Sequence, residues 1–183
     1  MKGGDSVMVE NYYSFFDGNV QGLKSVIAYF SKPLYGFIFN FVKDKCVSED
    51  ILEEVFLSLI IKKRRIKDEN SFKTYLYSAA RNKCLDYIKR HRDKYCKLDD
   101  NLQDLRYSPE EILDKKLDIE IVKNALEKLG SDQYAVVYLS YFEQMKNKEI
   151  AKIMKKSTKQ VENLLYKAKV KLKKIIKELG YEE

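Results

Sequence analysis

The sequence predicts an all-α fold made of two small helical domains joined by an acidic linker. Three observations carry that expectation. Only seven glycines and two prolines punctuate 183 residues. No window alternates apolar and polar residues long enough to make a half-buried strand, and apolar residues recur instead at helical spacing. The periodicity lapses over residues 93–107 (DKYCKLDDNLQDLRY), which also turn acidic. The expected boundaries are therefore 1–92 for the first domain, 93–108 for the linker and 109–183 for the second domain, each domain too small to bury much area alone.

Composition narrows the class of function. The formal charge is +7, with the lysines in blocks. That balance suggests an acidic partner, nucleic acid ahead of membrane, because no segment is long and apolar enough to span a bilayer. The start, MKGGDSVMVENYY, lacks the apolar run of a signal peptide, so a cytoplasmic location is expected. Cys46, Cys84 and Cys96 are odd in number and widely spaced, which fits a reducing compartment and no disulfide framework. His91, the one histidine, lies between Cys84 and Cys96 at a spacing that matches no zinc pattern. No phosphate-binding, dinucleotide, metalloprotease or nucleophile-elbow motif is present. A binding protein without a cofactor or metal is expected rather than an enzyme.

Residues 19–30 (NVQGLKSVIAYF) and 33–42 (PLYGFIFNFV) read as two helices, with Pro33 in the first turn of the second. The second is apolar almost all round, so it is either central to a core or partly covered by something else. Ser48 is the expected N-cap of a third helix, with Glu49 and Asp50 in its first turn. Ile51, Leu52, Val55, Phe56, Leu59 and Ile60 make its core face. Leu57 and Ile61 lie on the other side beside Asp50, Glu53 and Glu54. Apolar residues rimmed by acids suit a protein-docking surface, and a second layer of core is the alternative.

Residues 66–70 (IKDEN) read as a loop, after which Ser71 opens a long helix burying Phe72, Leu76, Ala79, Ala80, Leu85 and Ile88. Residues 62–92 hold eleven Lys and Arg against three Asp and Glu. Phe72, Tyr75, Tyr77 and Tyr87 are interleaved with them. Cations for phosphates and rings for unpaired bases are the ingredients of a single-strand surface, although rings at helical spacing mostly pack.

Beyond the linker, Ser108, Pro109 and Glu111 restart a helix that runs to Leu129, with Gly130 placed to stop it. Ser131 caps the next helix, SDQYAVVYLSYFEQ. Residues 147–179 then read as a short helix, a tight turn and a longer helix opened by Ser157 and Gln160 as a capping box. Val161, Leu164, Leu165, Ala168, Leu172, Ile175, Ile176 and Leu179 fall in one stripe roughly 120° wide at about 100° per residue. The opposite side carries Lys159, Glu162, Asn163, Tyr166, Lys167, Lys173 and Lys174. Residues 152–177 hold ten lysines and one acid, Glu162. This is the helix-turn-helix pattern, which presents its second helix to a DNA major groove. A solvated basic helix in an ordinary bundle is the alternative.

Taken together, LYGFIFNF, SEDILEEVFLSL and SFKTYLYSAARNKCLDYIKR, followed by ALEKLGSDQYAVVYLSYFEQMKNKEIAKIMKKSTKQVENLLYKAKVKL, resemble regions two and four of a bacterial extracytoplasmic-function sigma factor, the compact branch of the sigma-70 family. The resemblance implies a subunit that docks on core RNA polymerase and directs it to promoters. It implies that Asp50, Glu53, Glu54, Leu57 and Ile61 meet the coiled coil of the polymerase largest subunit. Lys67, Asp68, Glu69, Asn70 and Tyr75 would belong to the surface that opens the −10 element. Asn82 matches a characteristic asparagine there, and Lys89 and Arg90 match basic positions near the duplex. The linker would thread toward the polymerase cleft. Lys155, Lys156, Thr158, Lys159, Glu162, Asn163, Tyr166 and Lys167 would read the −35 element, while region four also touches the polymerase flap. Family members are often held by an anti-sigma protein, for which the apolar second helix and the Leu57/Ile61 face are candidate surfaces.

Four positions depart from the family pattern. Lys155 stands where the turn usually has glycine, and Lys156 where a small apolar residue is usual. A left-handed lysine is strained, which implies a reshaped turn. Leu164 replaces a frequent arginine, and Glu162 sits where a basic residue is common, able to accept from a cytosine amine but repelling phosphate. Two other functions fit less of the chain. One is a helix-turn-helix regulator that acts without replacing sigma. The other is a nuclease using Asp50, Glu53 and Glu54, which lack a clustered ligand pattern.

Overall fold

A computed structural model describes residues 4–61, 68–91 and 119–179. The chain divides into two compact units, Met1–Leu102 and Gln103–Glu183. The expected linker 93–108, and the helix start expected at Ser108 and Pro109, lie outside the described residues. Among those described, all regular structure is helical.

Unit 1 holds α1 (Gly4–Phe16), α2 (Val20–Val42), α3 (Lys45–Ile61) and α4 (Glu69–Arg90). Asn19 caps α2 by accepting from the Gly22 N–H at 3.3 Å. The break expected before Pro33 does not occur: α2 runs through it. An interior proline costs about 3 kcal/mol, since it lacks an N–H and crowds the carbonyl four residues back. Phe30, Leu34, Phe37 and Ile38 flank it and are all buried, each stabilising by roughly 1.5–3 kcal/mol. Packing therefore wins. The all-round apolar character of residues 33–42 has the same cause, because α1, α3 and α4 all pack on α2. Its second half is core, which removes it as an open anti-sigma surface.

α3 begins three residues before the expected cap. Asp44 accepts from the Val47 N–H through its carboxylate and from the Ser48 N–H through its carbonyl, both at 3.0 Å. Ser48 is buried inside the first turn, its hydroxyl donating to the Asp44 carbonyl. α4 likewise starts early: Asp68 caps it, accepting from the Ser71 N–H at 2.9 Å. Glu69 and Asn70 are thus helical rather than loop. Phe72, Leu76 and Ala80 are buried as expected, while Ala79, Leu85 and Ile88 are only half-buried. Tyr77, Arg81 and Cys84 take the core positions instead. Edge-on ring pairs join the helices, Phe37–Tyr77 at 5.1 Å and Tyr12–Phe72 at 5.4 Å, a geometry favoured by the ring quadrupole.

Unit 2 holds α5 (Ile119–Glu127), α6 (Ser131–Val137), a π turn (Tyr138–Phe142), α7 (Asn147–Met154) and α8 (Thr158–Glu178). Gly130 is extended at the N-cap of α6, so Ser131 is the first helical residue and not the cap. The expected continuous helix 131–144 widens at the π turn, where the Glu143 N–H reaches back to the Tyr138 carbonyl at 3.2 Å. Tyr134, Tyr138 and Phe142 stack along that widening at 5.6 and 5.1 Å. Gln144, with φ 52°, then redirects the chain into α7.

α1 crosses α2 closely. A Cβ at Gly22 would overlap the Asn11 carbonyl oxygen and the Ser14 hydroxyl. The backbone oxygen cannot swing away as a side chain can. Gly22→Ala should therefore destabilise unit 1 by about 1–3 kcal/mol in urea unfolding, and an unchanged midpoint would show that the crossing is looser than described.

Candidate nucleic-acid and partner interfaces

The turn between α7 and α8 decides where α8 points. Lys155 is left-handed, φ 53° and ψ 45°, so the expected reshaping does not occur. The Lys156 N–H closes the end of α7 on the Ala151 carbonyl at 3.0 Å, the long bond of a Schellman motif. Ser157 then starts α8: its hydroxyl accepts from the Gln160 N–H at 3.2 Å and its own N–H donates to Gln160 Oε1 at 2.8 Å. Val161, Ala168 and Ile175 are buried, and Leu164, Leu165, Leu172, Ile176 and Leu179 half-buried. The helix is held along one side only.

On the free side Thr158, Lys159, Glu162, Asn163, Tyr166 and Lys167 are all exposed, with Lys155 exposed in the turn. Tyr166 stands at 70 % exposure. Lys156 differs from the rest of the expected −35 set. It is half-buried and paired with Asp132 at the start of α6, Nζ to Oδ2 3.3 Å. Val170, 54 % exposed one turn beyond Tyr166, was not among the expected residues. Lys169 lies over the Tyr141 ring at 5.3 Å, so the π turn presents an aromatic face to α8.

The expected −10 residues that are described lie along α4 and at its N-cap. Asp68 and Asn70 are exposed at its start, Lys89 and Arg90 at its end, about 30 Å away at 1.5 Å per residue. They form a strip rather than a pocket. Tyr75, Asn82 and Lys89 recur at heptad spacing and share a face. Three of these side chains have structural partners. The Asp68 carboxylate accepts from both the Ser71 N–H and, at 3.2 Å, the Ser71 hydroxyl. The Tyr75 hydroxyl lies 3.3 Å from Ser58 Oγ of α3, and Arg90 Nε donates to the Asp86 carbonyl at 3.3 Å. Lys67 lies outside the described residues.

On α3, Leu57 is 54 % and Ile61 69 % exposed. Among the described residues of unit 1 nothing covers them, so within those residues they form no second layer of core. Asp50, Glu53 and Glu54 are exposed beside them, and Glu54 pairs with Lys83 of α4. Cys84 is buried, and that burial pushes its thiol from an ordinary 9.0 up to about 12. His91 stacks on Tyr87 at 4.2 Å.

Two outcomes follow from these environments. A left-handed backbone costs an L-residue about 1–2 kcal/mol, and glycine returns part of that through the freer unfolded chain. Lys155→Gly should raise the thermal stability of unit 2 by up to about 1 kcal/mol, whereas a destabilised Lys155→Gly variant would mean that the lysine side chain anchors the turn. The Cys84 thiol, raised in the folded state, contributes stability present below pH 9.0 and lost as pH rises toward about 12. Thiol reagents at mildly alkaline pH should modify exposed Cys46 and spare Cys84 until the chain unfolds, which a mass spectrum of digested protein would read.

With this geometry in place, residues 26–94 match Sigma-70 region 2 and residues 119–172 match Sigma-70, region 4. The chain is similar to the ECF RNA polymerase sigma factor SigM of Bacillus subtilis, 26 % identical over 145 residues, covering 79 % of this chain and 88 % of that one. It is 27 % identical over 152 residues to the ECF RNA polymerase sigma factor SigX of the same organism, covering 79 % and 78 %. RNA polymerase sigma factor CarQ of Myxococcus xanthus is 26 % identical over 170 residues, covering 92 % and 97 %. The fold resembles that of the sigma factor RpoE from Bartonella quintana, solved with the anti-sigma factor NepR, at TM-score 0.66 and 18 % identity, covering 86 % of this chain and 98 % of that chain. Two sigma regions in their family order, on helices that form a helix-turn-helix in the second unit, place this chain in the sigma-70 family, among its extracytoplasmic-function sigma factors.

Proposed function

We propose that this chain works as an alternative sigma factor, binding core RNA polymerase and directing it to promoters through a −35 and a −10 element. The occurrence of both family regions in order on one chain carries this conclusion. The polymerase supplies the chemistry, so no catalytic residue, metal or cofactor is assigned to the chain, and its place of work is the cytoplasm. The one-sided burial of α8 supports a −35 role for Lys155, Thr158, Lys159, Glu162, Asn163, Tyr166 and Lys167. Lys156 is better read as a brace for the turn. The strip along α4 supports a −10 role for Asn70, Asn82, Lys89 and Arg90, with Asp68 and Tyr75 holding its shape.

Leu57 and Ile61, with Asp50 and Glu53 exposed around them, make the polymerase-docking face in this proposal, and Glu54 is tied to Lys83 within it. The boundaries 1–92, 93–108 and 109–183 remain the proposed domains, with the linker directed to the polymerase cleft and unit 2 also meeting the flap. An anti-sigma partner belongs to the same proposal. The solved sigma factors RpoE and CnrH are in complex with NepR and with the cytosolic domain of CnrY, and the Leu57/Ile61 face is the candidate surface here. Each unit alone offers few base contacts, so promoter binding becomes tight only when polymerase holds both units at fixed spacing. Strand opening follows where capture of a flipped base offsets a few kcal/mol of lost stacking.

Transcription in vitro with bacterial core polymerase on fragments of the source genome tests this. New discrete start sites with a shared upstream pair of elements are expected only when the chain is added. Leu57→Asp should lower transcription at least about 10-fold, as for a hot-spot truncation, while leaving the fold intact by circular dichroism. A chain that shifts duplex DNA tightly without polymerase and starts no transcripts would make it a conventional regulator.

A further inference from the structure

Helix α1 precedes residues 26–94, the stretch that matches region 2, so no role reaches it from that match. It is nevertheless built into unit 1, packed on α2 and α4, and one of its side chains reaches both α3 and α4. Tyr12 is fully buried. Its ring meets Phe16 at 5.2 Å and Phe72 at 5.4 Å, both edge-on, and its hydroxyl donates to the Leu59 carbonyl at 3.3 Å. Leu59 lies in the last turn of α3, where helix carbonyls lack partners within their own helix. Phe72 lies in the first turn of α4 and also meets Phe30 of α2 at 5.3 Å. A single side chain thus ties the end of α3 to the start of α4, and the Ser58–Tyr75 contact at 3.3 Å ties the same two helices alongside it.

The start of α4 is where Asp68 and Asn70 are presented, both exposed. We propose that Tyr12 is a positioning residue for −10 opening: by fixing the first turn of α4 against the end of α3, it gives the captured strand a preformed surface. The inference rests on the sigma-factor reading above. Being buried, Tyr12 touches no DNA itself. Its effect comes from ordering that is complete on folding instead of being required at the moment of melting, when it would subtract from capture. Held geometry of this kind depends on the supporting layer behind the contact residues.

The test uses the full chain with core polymerase on a promoter found by the transcription assay. Opening is read as permanganate reactivity of −10 thymines, and a second template carries a pre-opened, mismatched −10 segment. Tyr12→Phe keeps the ring and removes one neutral hydrogen bond, so opening of the duplex template should fall about 2- to 10-fold. Polymerase affinity should stay within about 2-fold, because Tyr12 and Leu59 are buried while Leu57 and Ile61 are exposed, and the pre-opened template should restore full transcription. Tyr12→Leu, which also removes the ring, should deepen the opening defect and be rescued in the same way. Unchanged opening in both variants would overturn the inference, as would a loss that persists on the pre-opened template, since that marks general destabilisation. If wild-type chain starts no transcripts, the sigma-factor reading falls and the inference with it; if wild type transcribes and the variants match it, only the inference falls.

Discussion

Unit 1 depends on the burial of α2. Small helical domains have little interior, and here one helix supplies the largest share of it among the described residues, with Val26, Phe30, Leu34, Phe37, Ile38, Phe41 and Val42 all buried. Because the second half of α2 is consumed by packing, it has no second face to offer. The three helices around it each keep an outer side free, and the surfaces proposed for polymerase and for the −10 element fall on two of these, α3 and α4. Pro33 shows how strongly that column is held. A residue that ordinarily ends helices sits inside this one, because loss of its neighbours from the core would be the larger penalty.

Unit 2 solves a different problem. Its long helix must be anchored and yet leave one side bare. The anchoring is local at the start, where the left-handed Lys155, the 3.0 Å bond from Lys156 to Ala151 and the reciprocal Ser157–Gln160 bonds fix the angle at which α8 leaves the turn. Farther along, Val161, Ala168 and Ile175 hold it. The Lys156–Asp132 pair braces the same turn from the side of α6. As a half-exposed ion pair it contributes less than about 1 kcal/mol, so its service is to orientation more than to stability.

What could be read from sequence follows the range of the forces involved. The Ser157–Gln160 box and the buried stripe of α8 were legible because both are set within a few residues along one helix. The exposure of Leu57 and Ile61 was legible as a second apolar face, although the sequence left docking and core equally open. Pro33 was misread because burial on both sides of it is a tertiary fact. Ser48 looked like a cap, but Asp44 was close enough to take the role and leave Ser48 for the interior. Tyr77 and Arg81 in the core of α4 were hidden by polar atoms that a periodicity argument assigns to solvent. The π turn at Tyr138–Phe142 depends on ring stacking that spacing alone does not announce. In the candidate sites, the pairings of Lys156, Glu54 and Tyr75 were invisible because each partner comes from another helix.

The bare side of α8 also separates two kinds of inheritance. Residues such as Lys159, Asn163 and Tyr166 carry no packing duty, and exchanges at such positions usually change stability by less than about 0.5 kcal/mol. Val161, Ala168 and Ile175 have no such freedom. On the −35 role proposed for that side, promoter preference can drift among duplicated copies of such a chain while the scaffold that presents it stays constant, which is a physical route by which one fold populates a genome with many distinct regulons.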